Sequence, residues 1–178
     1  AVETVVNSGK IVGGVDLGLG DDTLSNSGAI RGDVLLGRGD DLYDGGLGRL
    51  HGDLYGGIGD DTLVGGRSGD TIHGDDGFDG GQDGDDRIEG GRGADSLFGD
   101  DGDDTLEGGK GTDTLSGGAG KDVFRVASAD DTATDAPDVV VDLGKYDHID
   151  LSGIDADTSQ AGDQAFHLVG ALSGHAGE

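Results

Sequence analysis

The residues best placed to do chemistry in this chain are aspartates set in glycine turns at a fixed interval. Five nine-residue units run end to end: GQDGDDRIE (81–89), GGRGADSLF (90–98), GDDGDDTLE (99–107), GGKGTDTLS (108–116) and GGAGKDVFR (117–125). Each carries Asp at its sixth position (Asp86, Asp95, Asp104, Asp113, Asp122) and a large apolar residue at its eighth (Ile88, Leu97, Leu106, Leu115, Phe124). Two further units stand upstream, GGIGDDTLV (56–64) and GGRSGDTIH (65–73), with Asp61 and Asp70. Asp22 and Asp41 close GLGDD and GRGDD turns, and Asp79 lies in GDDGFDG (74–80), a stretch that breaks register. Carboxylates beside inward-turned glycine carbonyls make an oxygen set for a hard divalent cation, calcium above all. Stacked about one strand spacing apart, ~5 Å, the same carboxylates would repel strongly with no cation between them.

The elements that must hold these groups follow from the nine-residue period. Glycines at positions one, two and four allow a tight turn without a Cβ clash. Positions seven to nine then form a short strand whose single inward side chain is the apolar one. Two such half-turns make an 18-residue coil, and stacked coils make an all-β, right-handed parallel β-roll, a β-solenoid of glycine- and aspartate-rich repeats. The expected ligands are Asp22, Asp41, Asp61, Asp70, Asp79, Asp86, Asp95, Asp104, Asp113 and Asp122. Beside them stand the carbonyls of Gly18, Gly20, Gly37, Gly39, Gly57, Gly59, Gly91, Gly93, Gly102, Gly109, Gly111, Gly118 and Gly120. Alternating turns between two edges puts Asp22/41, 41/61, 61/79, 79/95 and 95/113 on one edge. It puts Asp70/86, 86/104 and 104/122 on the other, for about eight calcium ions in all.

Residues 1–64 follow a second rule. NSGKIVGGVDLGLGDDTLS (7–25) and NSGAIRGDVLLGRGDDLYD (26–44) form a 19-residue repeat in which Ile11, Val15, Leu17 and Leu24 match Ile30, Val34, Leu36 and Tyr43. GGLGRLHGDLYGGIGDDTLV (45–64) continues it, so this part reads as the same solenoid with calcium turns on one edge only. Residues 65–125 read as the two-edged roll and 126–178 as a C-terminal cap. In the cap, Val139, Val141, Ile149, Leu151 and Ile154 are expected to cover the last coil, ahead of a helix or turn at 157–166.

Composition narrows the function. The chain has 178 residues, 41 of them glycine, no cysteine, and a formal net charge of −27. That charge excludes nucleic acid as a partner and disfavours an anionic membrane surface, and no run is apolar enough to insert into a bilayer. An EF-hand reading of residues 75–86 lacks an oxygen ligand at Gly77 and a closing Glu. His51, His73, His148, His167 and His175 are scattered, with no zinc-type spacing, and read as surface or internally satisfied residues. No nucleophile elbow or P-loop occurs, so nothing marks the chain as an enzyme.

The nonapeptides resemble the RTX (repeats-in-toxin) family. The run GGAGKDVFRVAS, DVVVDLGKYDHIDLSGIDA and FHLVGALSGHAGE is similar to the C-terminal domain of serralysin-type secreted proteins. The resemblance implies a module of a larger protein, secreted outside a Gram-negative cell, that folds on extracellular calcium and assists type I secretion. It also implies that a catalytic domain, a metalloprotease for example, could belong to the parent. A second expectation is an adhesion or polysaccharide-binding module, for which Tyr43, Tyr55 and Tyr146 with Arg31, Arg38 and Arg49 are the candidate contacts.

Overall fold

The one-apolar-residue-per-strand pattern gives strands too short to bury a face by themselves, so they can persist only by stacking on copies of themselves. The computed structural model describes residues 1–77, 84–128 and 137–153, and throughout these the chain is strand and turn with no helix. All strand pairs are parallel. The first sheet contains, in spatial order, β1 (Thr4–Asn7), β4 (Thr23–Asn26), β7 (Leu42–Asp44), β10 (Thr62–Val64), β12 (Arg87–Gly93), β14 (Thr105–Gly111), β16 (Val123–Arg125) and β18 (His148–Asp150). Opposite it lie β3 (Val15–Leu19), β6 (Val34–Arg38), β9 (Asp53–Ile58), β11 (Thr71–His73), β13 (Ser96–Asp101), β15 (Thr114–Ala119) and β17 (Val139–Val140). The fold is a parallel β-solenoid, as the repeats require.

A third sheet was not expected. It joins β2 (Lys10–Val12), β5 (Ala29–Arg31) and β8 (Arg49–Leu50), so each of the first three coils has three sides. From β10 onward a coil has two. The core is correspondingly three apolar columns that become two, with Leu36 and Leu17 as a short extra row on the opposite sheet. Leu24, Tyr43, Leu63, Ile88, Leu106 and Phe124 form the first, and Val34, Leu54, Ile72, Leu97 and Leu115 the second, all buried. Ile30 and Leu50 form the third, with Ile11 packed against it. Leu50, just after the turn at 46–47, is thus a core residue.

Two expectations about the end of the solenoid change. The strands of 137–153 do not lie across the last coil; they extend it in register, Leu115 beside Val140 and Phe124 beside Ile149. Val140 and Leu143 therefore pack on the core, while Val139 and Val141 are exposed. Alternation explains this, because a parallel strand in register must repeat the inward position of its neighbour. Ile154 and the segment 157–166 lie outside the described residues.

Candidate calcium-binding edges

At each corner where the opposite sheet returns to the first, a turn aspartate folds inward and is buried: Asp22, Asp41, Asp61, Asp86, Asp104 and Asp122. Successive coils link through these residues. The backbone N–H of Asp22 donates to Oδ1 of Asp41 at 2.6 Å, Asp41 to Asp61 at 2.7 Å, and Asp61 to Asp86 at 2.8 Å. Asp86 then donates to Asp104 at 2.8 Å and Asp104 to Asp122 at 3.1 Å. A second edge repeats the pattern with Asp70 to Asp95 at 2.8 Å and Asp95 to Asp113 at 2.9 Å.

This order corrects the expected pairing. Asp61 is followed on its edge by Asp86, the expected partner of Asp70, and Asp70 is followed by Asp95. The cause is a separation of 25 residues across that coil, against 18 for the regular coils that follow. The extra residues lie between Gly77 and Gly84, and Asp79 itself is outside the described residues. Counting Asp79 as a turn reverses the edge of every aspartate after it. The flanking elements β11 and β12 are strands, which removes the EF-hand alternative.

Both ladders run further than expected. Glu3 donates its N–H to Asp22, Asp122 to Asp147 at 3.2 Å, and Asp113 to Asp138 at 2.9 Å. Asp138 and Asp147 sit 25 residues beyond their neighbours, the same interval as Asp61 to Asp86, which is the signal that could have found them.

Using Oδ1 for the ladder leaves the other oxygen over. Oδ2 of Asp22, Asp41, Asp61, Asp86, Asp95, Asp104 and Asp122 is buried and accepts no hydrogen bond. A buried ionised carboxylate with one bare oxygen is costly, since burial disfavours the charged form. Burial accordingly pushes the carboxyls up: Asp41 to about 6, Asp95 and Asp104 to about 7, Asp61 to about 8 and Asp86 to about 9. The N–H donated by the preceding coil opposes the shift, and the neighbouring aspartates add to it. Asp70 differs, because its Oδ2 accepts from the N–H of Gly66 at 2.7 Å.

The glycines complete the arrangement. A Cβ on Gly99 would overlap Oδ2 of Asp104 in the same turn and the carbonyl oxygen of Gly117 in the next coil. Side-chain oxygen and carbonyl thus converge on space that only glycine leaves open. The expected carbonyls of Gly18, Gly20, Gly37, Gly39, Gly59, Gly91, Gly93 and Gly102 each point at the matching glycine of the following coil. Gly57, Gly109, Gly118 and Gly120 take left-handed φ values of 117°, 88°, 96° and 152°, and Gly111 ends β14. Among the described residues no three carboxylate or imidazole side chains converge on one point. A cation on these edges must draw on backbone carbonyls as well as on two aspartates, a donor set that suits calcium and not zinc.

The remaining candidates fall out plainly. His73 is satisfied, its Nδ1 3.1 Å from Asp100 Oδ2 and its ring stacked between Tyr55 and Phe98 at centroid distances of 5.0 and 4.5 Å. Asp100 is the one non-glycine residue with positive φ among those described, at 74°. Tyr43 is buried and receives a hydrogen bond from Asn26, so it cannot be a surface contact. His51 and His148 are exposed, and His167 and His175 lie outside the described residues. No helix of the described residues is long and apolar enough to cross a membrane.

Parallel coils, glycine turns and two rows of inward aspartates define a β-roll with carboxylate-lined edges. Residues 53–80, 80–115 and 98–133 match the family model of the RTX calcium-binding nonapeptide repeat (4 copies). Those residues are RTX calcium-binding repeats, and the fold that holds them is a β-roll. The repeats bind calcium, and they form a structural rather than a catalytic domain. No curated protein matches the chain, and the serralysin resemblance of its C-terminal run has no support beyond the residues that suggested it.

Proposed function

We propose that this chain is the calcium-triggered folding module of a larger secreted protein, ordered outside the cell and supporting export by a type I machinery. The observation that carries it is the row of buried aspartate oxygens with no hydrogen-bond donor. Asp22 through Asp147 on one edge and Asp70 through Asp138 on the other would hold the ions between successive coils, with turn-glycine carbonyls completing each cage. Nine same-edge intervals are available, six on the first edge and three on the second. Bound calcium supplies positive charge that lets the carboxylates stay ionised while buried.

At low calcium the net charge of −27 favours an expanded chain, because self-repulsion opposes a fold with little apolar burial. An expanded chain suits passage through a narrow exporter, and extracellular calcium would then fold it. The experiment is a calcium titration of the chain followed by far-ultraviolet circular dichroism. The expected result is a coil-like spectrum in excess chelator that converts cooperatively to β-structure over sub-millimolar to millimolar calcium. Full β-structure in chelator at neutral pH would refute the reading.

A further inference from the structure

The third sheet is chemically unlike the rest of the molecule. Its outward residues fall in two rows, Lys10–Ala29–Arg49 and Val12–Arg31, and His51 follows Leu50 beside the second. Lys10, Val12, Arg31, Arg49 and His51 are exposed, while Ile11, Ile30 and Leu50 turn inward. No outward position of this sheet is acidic, in a chain with 38 Asp and Glu against 11 Lys and Arg. Lys10, Arg31 and Arg49 form no ion pair among the described residues, whereas Lys121 pairs with Asp103 and Arg125 with Glu107. Asp33 and Asp53 follow Arg31 and His51 by two residues, and there Asp53 donates its N–H to Asp33; His51 also lies within electrostatic reach of Asp70.

Three exposed, unpaired cations on one parallel sheet suit an anionic partner with regularly spaced charge. Lys10 and Arg49 stand two strands apart, roughly 10 Å, with Arg31 between them on the other row. We propose that this strip docks a linear carboxylated polysaccharide, its carboxylates meeting Lys10, Arg31 and Arg49 on the folded chain. A uronate polymer repeats its charge on a scale comparable to the strand spacing of ~4.8 Å. The guanidinium forks of Arg31 and Arg49 match a carboxylate in two-pronged fashion. A thin polymer can also follow the strip while staying clear of the acidic edges, whose field is screened within about 8 Å in physiological salt. A second copy of the chain would bring its own net charge of −27 against the same edges. The strip has no aromatic on which nucleic-acid bases could stack.

The test titrates short polyuronate oligomers, below the length that gels, into the full chain in excess calcium, beside sulfated dextran and neutral dextran. Saturable binding that weakens with added salt is expected for the uronate. It should fall roughly tenfold in Lys10→Gln/Arg31→Gln/Arg49→Gln, as for three exposed ion pairs. That variant should keep the calcium midpoint of the parent, because these residues lie on neither aspartate edge. The β-signal recorded in the same samples reports on the calcium reading separately. Absence of uronate binding by the folded chain, or equal binding by the variant, overturns the proposal. Sulfated dextran binding as tightly as uronate also overturns it, as does a concentration-dependent dimer abolished in the variant.

Discussion

The first three coils and the later ones solve one problem, a buried polar corner, with different chemistry. In the N-terminal coils one corner is closed by asparagine. Asn7 donates to Asn26 Oδ1 at 2.8 Å, Asn26 donates to the Tyr43 hydroxyl at 3.2 Å, and both amides are buried. An amide is donor and acceptor at once, so a column of amides satisfies itself. On the second edge of the later coils the turn is taken by Asp70, Asp95 and Asp113, which accept but cannot donate when ionised. A stack of asparagines closes without help, whereas a stack of ionised aspartates leaves charge and acceptor oxygens over. The apolar columns match this division: three at the amide end, where the ion edge is single, and two where aspartates occupy both edges.

The sharpest way to break the contrast is to crowd an aspartate edge. Gly99→Ala places a methyl group on Asp104 Oδ2 and on a carbonyl of the next coil. It should abolish calcium-induced β-structure in the coils around Asp104, or raise the calcium midpoint more than any single aspartate change. Titration by circular dichroism checks this, and a parent-like midpoint would show that the converging oxygens are not the cage.

Removing carboxylates gives the next largest effect. Asp104→Ala should raise the midpoint several-fold, because Asp104 is bonded to Asp86 on one side and Asp122 on the other within the regular 18-residue coils. Asp22→Ala should do less, since its outer neighbour is Glu3 at the end of the ladder. Equal shifts would mean that ions do not couple adjacent coils.

Acid offers a calcium-free comparison. Burial raises Asp41 to about 6, Asp95 and Asp104 to about 7, Asp61 to about 8 and Asp86 to about 9, against about 4 in an unfolded chain. The folded form therefore holds protons that the unfolded form has released, and its stability falls as pH rises from about 4 towards about 9. In excess chelator, lowering the pH through that window should increase β-structure. Calcium affinity should weaken over the same window, because protons compete for the oxygens. A chelated chain that loses β-structure on acidification would contradict this sign.

The smallest effect belongs to the amide corner. Asn26→Ala leaves Asn7 and Tyr43 short of a partner and should cost about 1–3 kcal/mol of stability. The number of calcium ions bound, measured by equilibrium dialysis, should not change. A lost ion would place a metal at the corner that these hydrogen bonds close.

Much of this organisation was legible in the residues. The match of Ile11, Val15, Leu17 and Leu24 to Ile30, Val34, Leu36 and Tyr43 is the observed register, and every expected aspartate among the described residues is buried at a corner. The third sheet was hidden because KIV, AIR and RL each bury a single residue, too little to announce a strand. Edge assignment failed at one residue. Asp79 has the composition of a turn aspartate but belongs to an added stretch, and composition does not record which side of a coil a turn occupies. Asp138 and Asp147 were hidden for a related reason, since the nonapeptide pattern stops while the stacking continues.

Those added stretches have a broader consequence. Asp61 and Asp86 are neighbours across 25 residues, as are Asp113 and Asp138, while Asp86 and Asp104 are neighbours across 18. Gly84 still comes to rest against Gly59, and Gly102 against Gly84. The solenoid counts coils and not residues: a detour that starts and ends at one corner leaves the rungs on either side unaware of its length. Such corners are where an architecture of this kind can take on new sequence, and so new surface, while the repeating frame stays as it was.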